Sequence, residues 1–283
     1  MSAEKPGRIK DITSLANPEI KAIKALLLKK HRSEERRFLA EGAKLAIDAL
    51  DAGWRIETLI VAKAMLNEAH VARIVTRGLA SGADVLTVPE KTIAAITRRD
   101  NPQAVVSVIS ERLARLDSLA PLAAGDTIIA LDRVRDPGNL GTVIRTADAA
   151  GVKGVVLVGE CVDLFSLETV RATMGSLFAV PVAKATPEAL VAFARAAGAA
   201  LIGTHLKGAQ DFRGIDYASR ANVLLMGNEQ SGLPDTLAQA CDRLALIPQT
   251  GKADSLNLAV ASGLMIYEAR RHLLGMNIQG LNN

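Results

Sequence analysis

Aromatic side chains make up only 3% of this 283-residue chain, with one Trp, two Tyr and five Phe. Its core must therefore be built from Ala, Leu, Val and Ile. Two cysteines, Cys161 and Cys241, are too few for a disulfide framework or a Cys-rich zinc site. Each reads as a small buried hydrophobe rather than a nucleophile. No run approaches the roughly 18–20 apolar residues of a membrane-spanning helix. The first ten residues, MSAEKPGRIK, have no apolar stretch behind their charges, so a cytoplasmic location is expected. His31, His70, His205 and His272 are dispersed, with neither metal-ligand spacing nor a serine-triad pattern. G-x-G-x-x-G after a first strand and G-x-x-x-x-G-K-[ST] are both absent, which disfavours dinucleotide dehydrogenases, Rossmann-type methyltransferases and P-loop enzymes.

The apolar share is 49% and the charged share 23%, an ordinary globular composition that excludes disorder as the main theme. Charge is unevenly spread. Residues 1–115 hold 20 Lys and Arg against 14 Asp and Glu, and the remainder 14 against 16, recovering the totals of 34 and 30. The densest basic stretch runs from Lys21 through Lys24, Lys29, Lys30, Arg32, Arg36 and Arg37. Such asymmetry points the front half toward a polyanion, although a solvated basic helix face would look the same.

Periodicity divides the chain in two. In the first part, Asn17-Pro18 opens a helix through Ile20, Ile23, Leu26 and Leu27, extending as a basic helix over 21–37. Strands are expected at 38–40, 56–61, 85–88 and 104–109, with helices following Gly42 and at 66–79 and 92–97. These form a small α/β domain over residues 1–110. Residues 111–125 read as a connector ending in Pro121 and Gly125. Beyond it, wholly apolar runs at 128–131, 155–158, 199–203, 223–226 and 244–247 alternate with helices. That is the pattern of parallel strands buried on both faces, so residues 126–283 form a parallel-sheet α/β domain.

Three loops at the ends of these runs carry unusual chemistry. The first spans Asp132 to Gly141 and leads into a helix containing Arg145, with Pro137-Gly138 as a tight turn and Asn139 as the expected N-cap. A second, Met226-Gly227-Asn228-Glu229-Gln230-Ser231-Gly232-Leu233-Pro234, sets two glycines around one acid before a Pro-started helix. In the third, a strand ends at Ile247-Pro248, a polar loop passes Gly251, and Ser255-Leu256-Asn257 opens the last long helix.

Together these loops resemble the SpoU (TrmH-like) branch of the SPOUT methyltransferases. The matching motifs are Asp136-Pro137-x-Asn139-x-Gly141-x-x-x-Arg145-Thr146-Ala147, Gly227-Asn228-Glu229-x-x-Gly232-Leu233 and Ile247-Pro248-x-x-Gly251-x-x-x-Ser255-Leu256-Asn257. The stretch Val170-Arg171-Ala172-Thr173-Met174-Gly175-Ser176 resembles a fourth segment of that family, with Thr173 where Ser is commoner. In the front half, Ser14-Leu15-x-Asn17-Pro18-x-Ile20-Lys21, Arg36-Arg37-Phe38-Leu39-x-Glu41-Gly42 and Asn101-Pro102-Gln103 are similar to the ribosomal-protein-like substrate domain of rRNA members.

The resemblance implies a parallel sheet with a deep trefoil knot, a homodimer with its active site at the shared interface, and S-adenosylmethionine as cofactor. Leu225, Met226, Gly227, Asn228, Gly232, Ile247, Pro248, Ser255, Leu256 and Asn257 would hold the cofactor. Arg145, Asn139, Glu229, Ser255 and Asn257 would form the catalytic set, Arg145 serving either as base or as an anchor for phosphate and developing alkoxide. Lys21, Lys24, Lys29, Lys30, Arg32, Arg36, Arg37 and Arg171 would bind RNA. The implied reaction is 2′-O-ribose methylation of RNA, with large-subunit rRNA as substrate, either naked or within a ribosomal particle. A tRNA substrate, or an inactive RNA-binding assembly factor, would be the other readings.

Overall fold

The computed structural model describes residues 6–206, 210–252 and 254–279. The chain forms two compact units: Met1–Arg112 with Phe165–Phe178, and Leu113–Leu164 with Ala179–Asn283.

Unit 1 is built on a five-stranded sheet. Its strands are β1 (Ile9–Asp11), β2 (Arg37–Glu41), β3 (Ile56–Ala62), β4 (Asp84–Val88) and β5 (Val105–Ser110), in the order β1-β4-β3-β5-β2. β1, β4 and β3 run parallel, whereas β5 is antiparallel to both β3 and β2. The helices are α1 (Pro18–Ala25), α2 (Lys29–Glu35), α3 (Ala43–Asp51), α4 (Ala69–Ala80) and α5 (Glu90–Thr97). Asn17 caps α1, its Oδ1 accepting the Glu19 N–H at 2.8 Å, with Pro18 as the first helical residue.

The expected continuous basic helix over 21–37 is two helices. α1 stops at Ala25, Leu26 dives into the core, and α2 restarts after an extended Leu28 and ends on a left-handed Arg36. The break turns Arg32 inward, where its Nη1 donates to the Leu26 carbonyl at 2.7 Å. Burying Leu26, Ile20 and Ile23 on one face outweighs continuing a helix whose next turn would have to bury lysines.

Unit 2 contains β6 (Thr127–Asp132), α6 (Pro137–Ala149) and β7 (Gly154–Val158). The chain then contributes α7 (Leu167–Ala172) to unit 1 before returning. It continues through β8 (Val182–Ala185), α8 (Pro187–Ala196), β9 (Ala200–Thr204), β10 (Gln210–Asp211), β11 (Asn222–Met226), α9 (Asp235–Ala240), β12 (Arg243–Leu246), α10 (Leu258–Ala269) and α11 (Arg271–Gln279). The seven strands lie in the order β10-β12-β9-β11-β6-β7-β8, and every pairing is parallel. Ile128, Ala130, Val156, Val223 and Leu225 face one core cluster with Leu190, Leu201 and Leu237, while α10 packs on α6, β6 and β11. Coverage on both faces is why these strands read as unbroken apolar runs. β1, β8 and β10 escaped the sequence reading because they are short edge strands carrying Lys10, Lys184 and Gln210.

Of residues 111–125, expected as a connector, the first two belong to unit 1 and 113–125 to unit 2. Ala114 pairs with Ala183 alongside β8, and Leu119 is buried in the core cluster. No helix among the described residues is long and apolar enough to cross a membrane.

Candidate active site

In an all-parallel sheet the loops at the carboxyl ends of the strands gather at one edge, and ligands bind there. The three motif loops follow β6, β11 and β12. At the end of β6, Asp132 is buried and takes the Arg133 guanidinium on its Oδ2, from Nε at 2.9 Å and Nη2 at 2.8 Å. Arg133 is left-handed, φ +49°, and Asn228 Nδ2 donates to its carbonyl at 2.7 Å. A non-glycine residue in this region is strained unless its surroundings hold it, and Asn228 does so from the second loop.

The cap of α6 differs from expectation. Asp136, not Asn139, is the N-cap: its Oδ1 accepts the Asn139 N–H at 2.6 Å, and Pro137 follows at the first helical position. Asn139 therefore keeps its side chain free for other contacts. Its Nδ2 donates to Glu229 Oε1 at 3.2 Å, and its Oδ1 accepts Asn257 Nδ2 at 2.9 Å. Glu229 Oε2 accepts the Arg135 N–H at 3.3 Å. One side-chain relay thus ties all three loops together.

Each partner is itself oriented. Asn257 caps α10, its Oδ1 accepting the N–H groups of Ala259 at 2.9 Å and Val260 at 3.3 Å. The second loop closes through paired backbone bonds between Asn228 and Gly232, at 3.0 and 2.9 Å, with Gly232 at φ +65°. Gly227 lies so close to the backbone of Gly232 and Leu233 that a Cβ would collide with both.

Two adjoining hollows result. A cavity of about 530 Å³ is lined by Met226, Gly227, Asn228, Glu229, Gly232, Ile247, Ser255 and Leu256, together with Thr204, His205, Leu206, Gln249, Asp254, Leu258 and Ala261. Its size and apolar walls suit a nucleoside-sized ligand. A second hollow of about 450 Å³ is lined by Arg135, Asp136, Asn139, Glu229, Gln230, Ser255, Leu256, Asn257 and Leu258. Glu229, Gln230, Ser255, Leu256 and Leu258 border both. The Ser255 side chain is exposed at this junction.

Most residues expected at the site are brought together, with three exceptions. Leu225 is buried in the sheet core, only its carbonyl approaching the Thr204 hydroxyl at 3.5 Å, and Pro248 is not among the cavity's lining residues. Arg145 is exposed on α6 with Gly138 and Thr142, lines neither hollow, and makes no hydrogen bond or ion pair among the described residues. Sequence reasoning missed Thr204, His205 and Leu206. The signal was available: Thr204 ends β9, a parallel strand next to β11, and His205 and Leu206 follow it.

The basic residues of unit 1 divide into free and engaged. Lys21, Lys29 and Lys30 are exposed and Lys24 half-exposed, and only Lys30 has an ion-pair partner among the described residues, Glu34 at 4.0 Å. Arg36 pairs with Glu111 at 3.2 Å, and Arg37 with Glu35 and with Glu57 at 3.1 Å. Arg32 is buried, donating to the Leu26 carbonyl, and Arg171 is bound to the buried Glu41. Burial pushes the Cys241 thiol up to about 12 and raises that of Cys161, which removes both as thiolate nucleophiles at neutral pH.

Residues 126–267 match the model of the SpoU rRNA Methylase family, and residues 17–107 match the MRM3-like substrate binding domain. The chain is 32% identical to the 23S rRNA (guanosine(2553)-2'-O)-methyltransferase RlmP of Bacillus subtilis, over 93% of this chain and 100% of the relative. It is 30% identical to a 23S rRNA (uridine(2479)-2'-O)-methyltransferase of Streptomyces viridochromogenes, over 85% of this chain and 84% of the relative. Among solved structures, the AdoMet-bound rRNA methyltransferase from Sinorhizobium meliloti is 57% identical, with TM-score 0.88 over 94% of this chain and 98% of that one. The AdoMet complex of AviRb from Streptomyces viridochromogenes is 29% identical, with TM-score 0.82 over 91% of this chain and 98% of that one.

Proposed function

The chain belongs to the SpoU rRNA methylase family, and from that premise we propose that it transfers a methyl group from S-adenosylmethionine to a ribose 2′-oxygen of large-subunit rRNA. The observation that carries this reading is the Asn257–Asn139–Glu229 relay, which joins the three family motifs where two hollows meet. S-adenosylmethionine, when bound, supplies an electrophilic methyl on a sulfonium that leaves as a neutral thioether. The 530 Å³ cavity fits that molecule: Met226, Ile247 and Leu256 offer apolar walls, and Gly227 leaves the loop backbone bare of a side chain.

The protein's task is alignment and charge management. Glu229, held through both oxygens, and Ser255 stand at the boundary between cofactor cavity and polar hollow, where an RNA ribose would enter. Arg145 is an exposed pure donor, and we assign it the anchoring of a substrate phosphate and stabilisation of the developing alkoxide, the 2′-hydroxyl proton passing to water as the O–CH3 bond forms.

Arg145 lies outside the hollows of its own chain, which supports a homodimer in which a second copy completes the site. α10 packs on α6 and exposes Val260 (53%), Leu264 (42%) and Tyr267 (50%) in a helical stripe, an apolar face of the kind a second copy covers. The path of the chain supports the trefoil knot: it leaves β12, beyond β9, yet α10 returns to β6 and β11. The exposed Lys21, Lys29 and Lys30, with the half-exposed Lys24, provide the salt-sensitive RNA contact, and an rRNA substrate implies a cytoplasmic enzyme.

The test is transfer of labelled methyl to size-fractionated total RNA, with nucleotides identified after digestion. Label is expected as 2′-O-methyl nucleotide in large rRNA. Arg145→Ala should lose about 100-fold in rate, and Arg145→Lys should not restore it because lysine lacks the planar fork. Label in tRNA would overturn the substrate, label on a base would overturn the chemistry, and an Arg145→Lys enzyme near wild type would overturn the role of the arginine.

A further inference from the structure

Three sequence motifs that the catalytic site leaves unused meet in unit 1. The Glu41 side chain is 1% exposed and receives Arg171 Nε at 2.7 Å, Arg171 Nη2 at 2.5 Å and the Gln103 N–H at 3.1 Å. Arg99 Nε stands 3.8 Å from the same carboxylate. Arg171 Nη2 also donates to the Thr97 carbonyl at 2.9 Å. These contacts clamp α7 and the turn after it. Within that turn the Met174 N–H donates to Arg171 O at 3.1 Å, buried Thr173 Oγ1 donates to Val170 O at 2.7 Å, and Lys44 Nζ donates to Met174 O at 3.0 Å. Trp54 Nε1 secures the far end through the Phe178 carbonyl at 3.2 Å.

The residue held most firmly is the one that does least for the fold. Met174 is left-handed, φ +53°, and 51% exposed. A long apolar side chain gains nothing from pointing into water on a backbone that glycine or asparagine would adopt more readily. Strain combined with exposure of this kind marks functional positions. Next to it, Gly175 at φ +103° packs so tightly on α3 that a Cβ would collide with the Asp48 carboxylate. Lys44, 65% exposed, reaches the turn directly, and Arg99, 47% exposed, stands at the Glu41 carboxylate that clamps it. Asp48 is paired with Lys44 and buried Glu41 with Arg171, and the exposed acids of this region are Asp100 and, on α7 itself, Glu168.

We propose that Met174 is a stacking contact for an unpaired base of the RNA substrate, with Lys44 and Arg99 taking the flanking phosphates. A polarizable thioether on a rigid turn can cover a base face without reading its edge. In a chain so poor in aromatics, it supplies the platform that an exposed ring supplies elsewhere. This contact rests on the reading of RNA as substrate.

The experiment uses the full chain with protein-free large-subunit rRNA, measuring filter binding, methyl-transfer kinetics and thermal stability. Met174→Gly keeps the left-handed backbone and deletes the platform. It should raise Kd and KM roughly 3- to 10-fold, leave kcat within about twofold, and leave Tm unchanged or higher. Met174→Leu, which keeps an apolar surface, should recover most of the loss. Lys44→Gln should reduce the salt slope of binding by about one phosphate contact. A Met174→Gly protein with wild-type Kd and KM overturns the proposal. So does one whose Tm falls several degrees together with its affinity, since the side chain would then be structural. A wild-type chain that neither binds nor methylates rRNA, protein-free or within the large-subunit particle, overturns the substrate reading, and this contact with it.

Discussion

Replacing Asn139 by Ala isolates positioning from stability at this site. The substitution removes two hydrogen bonds, one to the Glu229 carboxylate at 3.2 Å and one from Asn257 Nδ2 at 2.9 Å, and leaves the Asp136 cap on the Asn139 backbone intact. Fully buried, those bonds would be worth about 1.5–3 and 0.5–1.5 kcal/mol. Here Asn257 is exposed and Glu229 half-buried, so water replaces most of that, while Ala gains about 0.5 kcal/mol of helix propensity. The net cost should be about 1 kcal/mol or less, a Tm decrease of roughly 2–4 °C. Activity should respond far more. With the relay cut, Glu229 and the α10 N-terminus lose their common reference, and a misplacement near 1 Å costs about 100-fold in rate. The assay pairs single-turnover methyl transfer with calorimetric melting on Asn139→Ala, Asn257→Ala and the double variant. The double variant should be barely slower than either single one, because both cut the same relay. Asn139→Asp should be slower than Asn139→Ala, since it sets a second carboxylate against Glu229. Asn139→Ala with kcat within about twofold of wild type, or rate losses that simply add, would refute the reasoning.

Two further outcomes are expected. Gly227→Ala should raise the Kd for S-adenosylmethionine at least about 10-fold by titration calorimetry, because the Cβ meets the backbone of Gly232 and Leu233, which the Asn228–Gly232 pair holds in place; unchanged affinity would show that the loop yields. Cys241, pushed up to about 12 by burial, should react with a disulfide reagent at pH 8 only after denaturation. Because its thiol stays protonated in the folded chain while the unfolded chain ionises near pH ~8.5, stability should fall as pH rises from there toward about 12. Cys241→Ala should flatten that fall, and an unaltered alkaline melting curve would contradict it.

Local chemistry made much of this protein legible. β6, β7, β9, β11 and β12 announced themselves as unbroken apolar runs because their sheet is covered on both faces. β1, β8 and β10 did not, because these short edge strands bury two residues at most, too few to leave a pattern. The residue types for loop chemistry, Asp136 through Asn139, Gly227 through Gly232 and Ser255 through Asn257, could be read directly. Their order at strand ends marked the candidate site. The N-cap was misread because Asp136 and Asn139 are both good caps, and only the position of Pro137 distinguished them.

Pairing was beyond such reading. Asn139 meets Glu229 across 90 positions and Asn257 across 118, and Arg171 meets Glu41 across 130. A charge count cannot tell a cation facing solvent from one buried on a backbone carbonyl, as Arg32 is, or paired with a distant carboxylate, as Arg171 is, so both looked like Lys21 and Lys29. Composition and periodicity by themselves determined the buried strands, most of the helices and the chemical character of each loop, because those follow from the period of burial and the conformations that Pro, Gly and Asn permit. Only the tertiary structure decided which side chains meet, which cations stay free, and that the turn at Met174 is held strained and exposed, because these depend on contacts between segments far apart in the chain.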